Sequence, residues 1–384
     1  MFNNTLLILF LVFSLSFIIH FLLIALFRKD PFCNDCEVKS KPQKVHRVST
    51  PRAGGVGIFA SFALGALFLV EDAVVVNPGA ISGTIAPLHF SLVLVSFPAF
   101  FSGLYEDMRG TMGPRLRLVF MAIGAVAAIT LLDATIYDIG LFRLPVWVAV
   151  PFTIFSLVGV TNAINIIDGF NGLAAGISIL IFSAFAVISY FYGDTLLFAL
   201  NMLLIAATAG FLFWNFPRGR IFLGDGGAYL IGFLFAVLSV LLVKRNDEVS
   251  PWFPLVILAY PIFEVLFSIY RRKLKKGLSS FGADGIHLHT LLYKRYIKSN
   301  PKTSVYLWIP SAFFIAVALP YHRSTLVLIF VFFTFAAFYV YVYRRIVRFS
   351  FPVLLGGRRR INEKKEPVLK TDVPDKTKAR NRAV

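Results

Sequence analysis

The chain has 384 residues, of which 58% are hydrophobic and 42 are phenylalanine, and its mean hydropathy is +0.76. This composition excludes a water-soluble globular protein and indicates a chain that crosses a membrane many times. The formal net charge of +18 does not indicate a nucleic-acid partner, because membrane proteins collect Lys and Arg in cytoplasmic loops and no basic patch alternates with aromatic residues.

Apolar runs near twenty residues long predict an all-α polytopic membrane protein with ten to eleven transmembrane helices. The first run has no basic start and no small-residue cleavage site, so it is predicted to be a retained helix rather than a signal peptide. The predicted spans are 5–27, 54–70, 87–105, 116–133, 145–164, 172–192, 195–214, 226–243, 251–270, 304–320 and 323–343.

The loops between these spans alternate between rich and poor in Lys and Arg, with 244–250 as a mild exception. By the positive-inside rule, the N-terminus is predicted to be periplasmic and the C-terminus cytoplasmic. Residues 1–343 are predicted to form one membrane domain, and 344–384 a basic, disordered cytoplasmic tail. Cys33 and Cys36 are interpreted as reduced thiols, because one C-x-x-C supplies two of the four ligands of structural zinc.

The first polar stretch, 40–59, brings Lys44, His46 and Arg52 to the double glycine at Gly54 and Gly55. Cations beside exposed backbone N–H groups suit phosphate. An ordinary positive-inside loop is the alternative.

The acidic pair Glu106 and Asp107 lies at the end of the third predicted span. Adjacent carboxylates repel each other, so a nearby cation or metal ion is expected. A solvated helix end is the alternative.

The stretch 161–172 reads TNAINIIDGFNG between two apolar runs. At 100° per residue, Asn162, Asn165 and Asp168 occupy one helix face, and Gly169 allows close approach of backbone or ligand. The alternative is a polar loop in which Asp168 caps the next helix.

The Gly-Asp-Gly-Gly turn around Asp225 exposes a carboxylate together with backbone amides, as a metal–diphosphate site requires. Phe222 at the edge of this turn could stack on a base, and Asn215 precedes it. The alternative for Asp225 is a helix N-cap, and both roles are compatible.

His287 and His289 are one residue apart and cannot share a helix face, so a loop or a helix start is predicted. They suit a metal ion or phosphate oxygens, and a pair of surface histidines is the alternative. Glu264, within the ninth predicted span, is interpreted as structural and as a partner of Arg271 seven residues later.

All these stretches fall on the predicted cytoplasmic side. A transporter or lipid flippase, the alternative function, is expected to place its polar residues near the bilayer midplane and to show an internal repeat, and neither pattern is found. Polar residues on the cytoplasmic face indicate chemistry on a cytosolic substrate next to lipid.

From about residue 40 to 295, these stretches resemble the polyprenyl-phosphate N-acetylhexosamine-1-phosphate transferases of glycosyltransferase family 4. The strongest matches are N-A-x-N-x-x-D-G-x-x-G-L at 162–173 and F-x-G-D-x-G at 222–227. The resemblance implies a Mg²⁺-dependent enzyme, with Mn²⁺ as an alternative metal. It would transfer sugar 1-phosphate from a UDP-N-acetylhexosamine to undecaprenyl phosphate and release UMP. It also implies a bacterial inner-membrane location, membrane-lipid contact and a homodimer.

The resemblance also assigns roles to residues. Asp225 and Asp168 are the expected metal ligands. The expected catalytic residues are Asp107, Asp168, Glu106, His287 and His289. The expected substrate-binding residues are Lys44, His46, Arg52, Asn162, Asn165, Gly169, Asn171, Asn215 and Phe222.

The chain departs from the family pattern at Glu106, at Asn171 and in the His run HLHT. These departures resemble the branch that starts O-antigen, within lipopolysaccharide synthesis, rather than the phospho-MurNAc-pentapeptide translocase. Because the acceptor phosphate is already largely dianionic at neutral pH, Asp107 is predicted to orient the acceptor or bind metal more than to remove a proton. The sequence leaves open the sugar and the choice between single and double displacement.

Overall fold

The computed structural model of the protein describes residues 2–27, 50–69, 88–276 and 286–348. Lys44, His46, Cys33 and Cys36 lie outside these ranges, as does the tail beyond residue 348. Helices make up most of the described part, and an isolated β-bridge joins Asp138 and Arg143. The prediction of an all-α polytopic membrane protein is therefore confirmed.

The α-helices of the described ranges are numbered in chain order. They are α1 (Phe2–Phe27), α2 (Gly54–Leu67), α3 (Leu88–Arg109), α4 (Pro114–Leu132), α5 (Val146–Ile167), α6 (Leu173–Phe191), α7 (Thr195–Asn215), α8 (Gly224–Arg245), α9 (Trp252–Ile257), α10 (Ala259–Lys276), α11 (Leu288–Leu292), α12 (Asn300–Ala318) and α13 (Thr325–Val347). A π-helical turn, Tyr293–Ile297, follows α11.

Each of the eleven predicted spans corresponds to helix. Within the described ranges, nine helices are long and apolar enough to cross a membrane, and α2 is a shorter apolar helix. The predicted span 251–270 is divided into α9 and α10 at Leu258. Pro261 explains the break, because it has no N–H group to donate to the carbonyl of Ile257 four residues earlier.

Helix α8 is the centre of the bundle: 89% of its most apolar stretch is buried, against 17% for α1. It packs against α2, α3, α5 and α6, while α1 packs mainly against α7. Because α8 is apolar on all sides, it suits a position surrounded by other helices.

The C-terminal ends of α3 and α5 and the N-terminal end of α8 meet at one end of the bundle, which we call the site end. Two predicted spans were too short here: α3 continues to Arg109 and α5 to Ile167. The acidic pair Glu106–Asp107 therefore lies in the last turn of α3. Which side of the membrane the site end faces stays a prediction.

Candidate active site

Asp225, in the first turn of α8, is the centre of a charged cluster. Its Oδ1 accepts hydrogen bonds from Arg52 at 3.0 Å and from Asn165 at 3.1 Å, and its Oδ2 accepts one from Arg117 at 3.1 Å. Arg117 also donates to the hydroxyl of Tyr229, one turn further along α8. The alternative that Asp225 is only a helix N-cap is wrong, because its carboxylate is bound by side chains from three other parts of the chain.

Asp107 fixes the N-terminal end of α8. Its two carboxylate oxygens accept hydrogen bonds from the backbone N–H groups of Asp225 at 3.0 Å and Gly226 at 2.9 Å, and the Nε of Arg52 lies 3.3 Å away. The side chain is only 3% exposed. A helix start leaves N–H groups without partners, and Asp107 satisfies two of them from another helix. The geometry therefore favours a positioning role for Asp107.

Close backbone contacts bring these residues together. A Cβ atom on Gly103 would lie 2.4 Å from the carbonyl carbon of Asp225, and one on Gly55 would lie 2.3 Å from the backbone nitrogen of Gly227. Any larger side chain would force α3 or α2 away from α8. The glycines thus allow the ends of three helices to touch at the charged cluster.

Arg52 reaches the cluster because the chain before α2 is bonded to the chain before α8. The N–H of Phe222 donates to the carbonyl of Pro51, and the N–H of Gly54 donates to the carbonyl of Phe222, both at 2.9 Å. The ring of Phe222 is partly buried. Its stacking on a base stays a prediction.

Glu106 lies beside the cluster but outside the bonds to Asp225. Its Oε2 accepts a hydrogen bond of 2.9 Å from the backbone N–H of Met112 and holds the turn between α3 and α4. The geometry gives Glu106 a local structural contact and leaves its predicted catalytic role untested.

The predicted polar face of α5 is only partly turned to the cluster. Asn165 reaches Asp225, whereas the Nδ2 of Asn162 donates to the carbonyl of Val158 at 2.8 Å and lies 3.4 Å from the sulfur of Met121. The side-chain amide of Asn162 is therefore bonded within its own helix and against the neighbouring α4. Its predicted contact with substrate is not favoured by this geometry.

Asp168 follows the end of α5 and is partly buried. Its carboxylate accepts no hydrogen bond from any residue of the described ranges, although the charges of Arg52 and Asp225 act on it. Burial raises the pKa of Asp168 to about 7, the charge of Arg52 opposes this, and that of Asp225 adds to it. The alternative that Asp168 caps the next helix is wrong, because Gly172 occupies that position.

Asn171 and Asn215 join the α5–α6 turn to the α7–α8 connection. The side chain of Asn171 donates to the carbonyl of Pro217 at 3.0 Å. The Oδ1 of Asn215 accepts from the N–H of Gly172 at 2.5 Å, and its Nδ2 donates to the carbonyl of Ile221 at 2.7 Å. Both side chains are buried. This arrangement favours a structural role over the predicted contact with substrate.

The two histidines lie at the start of α11, as predicted. His287 is the N-cap residue and His289 is in the first turn, and their parallel rings are 5.3 Å apart. The Nε2 of His289 would lie 3.2 Å from a Cβ atom on Gly169, so α11 borders the turn that carries Asp168. Burial lowers the pKa of His289 to about 4, so this imidazole is neutral near pH 7.

Glu264 orients His287. Its Oε1 lies 3.0 Å from the Nδ1 of His287 and accepts the N–H of Leu288, and its Oε2 accepts the hydroxyl of Tyr339 at 2.7 Å. The predicted pairing of Glu264 with Arg271 is wrong. Arg271 instead donates to the carbonyl of Ile286 and to the hydroxyl of Tyr343.

Sequence reasoning missed Arg117, Tyr229 and Tyr339 as parts of the site. One signal was available: Arg117 falls inside a predicted membrane span, where a charged residue is costly unless it has a partner. Tyr229 follows Asp225 by four residues and so shares its helix face. Tyr339 gave no local signal, because its partner Glu264 is 75 residues away.

A magnesium ion fits this set of side chains. Within the described ranges, no three His, Cys, Asp or Glu residues form a ready metal cage. Mg²⁺ does not require one, since it is commonly held by one or two carboxylates, with water and substrate phosphate completing the shell. Asp168 offers oxygens that accept no hydrogen bond from the described residues, beside the second carboxylate of Asp225. A divalent cation would offset the repulsion between them.

Comparisons with known proteins find a matching family and several relatives. Residues 89–243 match the family model described as glycosyl transferase family 4. A probable undecaprenyl-phosphate N-acetylglucosaminyl 1-phosphate transferase of Bacillus subtilis is 34% identical over 253 residues, covering 64% of this chain and 66% of the relative.

Two further relatives extend the comparison. An undecaprenyl-phosphate alpha-N-acetylglucosaminyl 1-phosphate transferase of Salmonella typhi is 30% identical over 266 residues, which cover 66% of this chain and 67% of the relative. A decaprenyl-phosphate N-acetylglucosaminephosphotransferase of Mycobacterium tuberculosis is 28% identical over 309 residues, with coverages of 70% and 72%. The chain thus aligns with about two thirds of the length of the first of these relatives.

Proposed function

The chain belongs to the polyprenyl-phosphate N-acetylhexosamine-1-phosphate transferases of glycosyl transferase family 4, and from that premise we propose its reaction. It transfers N-acetylhexosamine 1-phosphate from a UDP-sugar to undecaprenyl phosphate and releases UMP. The observation that carries the proposal is Asp225, at the start of the central helix, held by two arginines and bordered by a second carboxylate, Asp168.

The reaction joins two anions, so neutralising charge and aligning the reacting atoms are most of what catalysis requires. A non-bridging oxygen of the acceptor phosphate attacks the β-phosphorus of the UDP-sugar. The bond from this phosphorus to the oxygen it shares with the α-phosphate breaks, and UMP leaves with that oxygen. No proton must be removed from the acceptor first, because its phosphate is already largely dianionic at neutral pH.

The side chains of the site have distinct parts in this scheme. Arg52 and Arg117 lie where they can share their guanidinium groups between Asp225 and phosphate oxygens. His289, which is neutral and only 3% exposed, borders the turn that carries Asp168, so a surface-histidine pair is excluded. Asp107 holds α8, and with it Asp225, in position. Asp225 and Asp168 would hold Mg²⁺, or Mn²⁺ as the alternative, which when bound would neutralise charge on the diphosphate.

The names of the relatives support N-acetylglucosamine as the transferred sugar. We propose UDP-N-acetylglucosamine as the donor and a cell-envelope polysaccharide, such as O-antigen, as the pathway that uses the product. The motif departures at Glu106 and Asn171 support this branch. We further propose that the site end faces the cytoplasm of a bacterial inner membrane and that the enzyme forms a homodimer.

A transporter or flippase is less well supported than a transferase. In the described residues, the charged cluster lies at the helix ends of the bundle rather than at their midpoints, where a transporter would place its binding site.

The test is UMP release by the detergent-purified full chain. The assay contains undecaprenyl phosphate, a panel of UDP-N-acetylhexosamines and either Mg²⁺ or a chelator. We expect Mg²⁺-dependent UMP release with UDP-N-acetylglucosamine. The Asp225→Asn variant should lose activity by about 100-fold or more, since it removes a ligand and the partner of two arginines. Folded protein that binds no donor and releases no UMP with any donor of the panel would refute the proposal.

A further inference from the structure

A groove of about 700 Å³ lies between α10 and α13, away from the Asp225 cluster. Apolar side chains line most of it, among them Phe263 from α10 and Phe333 and Ala337 from α13. Phe333 is 60% exposed. In a membrane, this part of the groove would face lipid hydrocarbon, so an apolar occupant suits it.

Three arginines form the remaining wall of the same groove. Arg344, Arg345 and Arg348 occupy the last turn and the C-cap of α13, at the site end of the bundle. The guanidinium of Arg345 lies 5.8 Å from the centre of the Tyr341 ring, which also lines the groove. Cations are favourable at a helix C-terminus, but that effect alone does not place them around an apolar cavity.

We propose that this groove is a binding site for an anionic phospholipid. One hydrocarbon chain would lie against Phe263, Phe333 and Ala337. The phosphate would meet the arginines at the level of the headgroups, where basic residues attract anionic lipid. Guanidinium groups bind phosphate oxygens with two parallel hydrogen bonds, so Arg suits this position better than Lys.

Two other candidates for the groove, a second copy of the chain and the chain beyond residue 348, complement the three arginines less well. A second copy of the chain, packed here around a two-fold axis, would present the same three arginines to each other, and like charges repel. The chain beyond residue 348 contains more Lys and Arg than Asp and Glu, so it does not complement a basic wall. A phospholipid supplies both the apolar chain and the negative charge.

The groove is bonded to the segment that carries the histidines. Arg295, in the π-helical turn after α11, donates to the carbonyls of Ile346 at 3.0 Å and Val347 at 2.6 Å. These carbonyls belong to the same turn of α13 as the arginines of the groove. A bound lipid that orders the end of α13 would therefore also stabilise the chain around α11.

The experiment is native mass spectrometry of the detergent-purified full chain, titrated with phosphatidylglycerol or with phosphatidylcholine of the same acyl chains. We expect one phosphatidylglycerol per chain, bound at least about tenfold more tightly than phosphatidylcholine. The triple variant Arg344→Gln, Arg345→Gln, Arg348→Gln should lose this preference. A control variant removes three exposed cations elsewhere in the described structure, Arg109→Gln, Arg218→Gln and Lys298→Gln, and should keep it.

A second pair of variants tests the apolar wall without a change of charge. Ala337→Trp fills the groove and should weaken phosphatidylglycerol binding about tenfold or more. Thr334→Trp adds the same side chain at an exposed position of α13 that does not line the groove, and should leave binding unchanged.

Several results would overturn the proposal. One is equal binding of the two lipids, and another is unchanged binding in Ala337→Trp. Undecaprenyl phosphate bound in the groove in preference to phosphatidylglycerol, and lost in Ala337→Trp, would assign the groove to the acceptor instead. A disulfide between two copies through Phe333→Cys, formed in a lipid bilayer at high yield, would assign it to a dimer interface.

Discussion

The two halves of the candidate site are held in place in different ways. The charged cluster around Asp225 is built where backbones touch: Gly103 and Gly55 bring α3 and α2 against the start of α8. The histidine segment is instead held by side chains, chiefly Glu264, which binds His287 and Tyr339, and Arg271, which donates to the carbonyl of Ile286. The first half is therefore rigid for steric reasons, and the second depends on a few hydrogen bonds.

This difference affects how each half of the site responds to amino-acid substitutions. Replacing a glycine at the cluster is expected to disturb helix packing, whereas replacing Glu264 is expected to alter a network of side chains. In phosphoryl transfer, the metal and diphosphate need the more exact positioning. We therefore expect the segment at 286–297 to be the part of the site that tolerates substitutions better.

The largest effect on stability is expected from Gly103→Ala, which adds a methyl group where the carbonyl carbon of Asp225 is only 2.4 Å away. Separating α3 from α8 should lower the free energy of unfolding by about 1–3 kcal/mol and reduce UMP release by at least about tenfold. Thermal unfolding in detergent and the UMP assay measure the two effects.

Gly159→Ala is the matched control, because an added Cβ atom there meets nothing within 4 Å. It should be neutral or stabilise α5 by up to about 1 kcal/mol. Equal destabilisation by the two variants would contradict the steric account of the cluster.

Glu264→Gln tests the other half. The variant keeps the size of the side chain but removes the charge that orients His287, so we expect kcat to fall about 10- to 100-fold with little change in unfolding temperature. Tyr339→Phe removes one hydrogen bond to the same carboxylate and should have a smaller effect. Unchanged kcat in Glu264→Gln would show that His287 needs no orientation by this residue.

The pH dependence of Mg²⁺ binding is expected to follow Asp168, whose pKa is raised from 3.8 to about 7. A raised carboxyl pKa means that the folded state binds the proton of Asp168 more tightly than the unfolded state does. Protonation of Asp168 therefore stabilises the fold at low pH, and this stabilisation is lost as pH rises through 7. Mg²⁺ requires the ionised form, so its apparent affinity should rise about tenfold between pH 6 and pH 8.

The measurement is a Mg²⁺ titration of UMP release at both pH values. The Asp168→Asn variant, which cannot titrate, should bind Mg²⁺ more weakly and show a flatter dependence. An affinity that is independent of pH in the unmodified chain would remove Asp168 from the metal site.

The smallest effect on activity is expected from the two asparagines on one face of α5. Asn165→Ala loses a hydrogen bond to Asp225 and should reduce kcat/KM about tenfold, the lower limit for a bond to a charged group, which is worth about 1.5–3 kcal/mol. Asn162→Ala, three residues earlier, loses only contacts to Val158 and Met121 and should change kcat/KM by less than about twofold. Equal losses would restore the predicted role of Asn162.

Most of the fold could be predicted from hydropathy, because a span of about twenty apolar residues has few alternatives in a bilayer. Each predicted span corresponds to helix. The ends of α3 and α5 were less predictable, since polar residues such as Glu106 and Asn165 lower the hydropathy before the helix stops. The division at Leu258 was missed because Pro254 and Pro261 do not reduce the apolar character of the run.

The site was predicted in part. Short motifs identified Asp225, Asp168 and Asn165 because glycine, carboxylate and amide residues occur there at close spacing. The same motifs also selected Asn171 and Asn215, whose side chains bind backbone carbonyls of neighbouring turns. A sequence pattern does not distinguish an amide that faces substrate from one that faces a turn. Partners far apart in the chain, such as Glu264 and Tyr339, leave no local pattern.

The bond from Asp107 to α8 also constrains the order in which the protein can assemble. The carboxylate that completes the first turn of α8 is synthesised 118 residues before the N–H group it accepts. During synthesis, Asp107 is therefore made well before the N–H groups at the start of α8, which can meet their partner only after α8 has been made. The charged cluster is thus complete only once α8 has packed against α3, a helix that is distant from it in the chain.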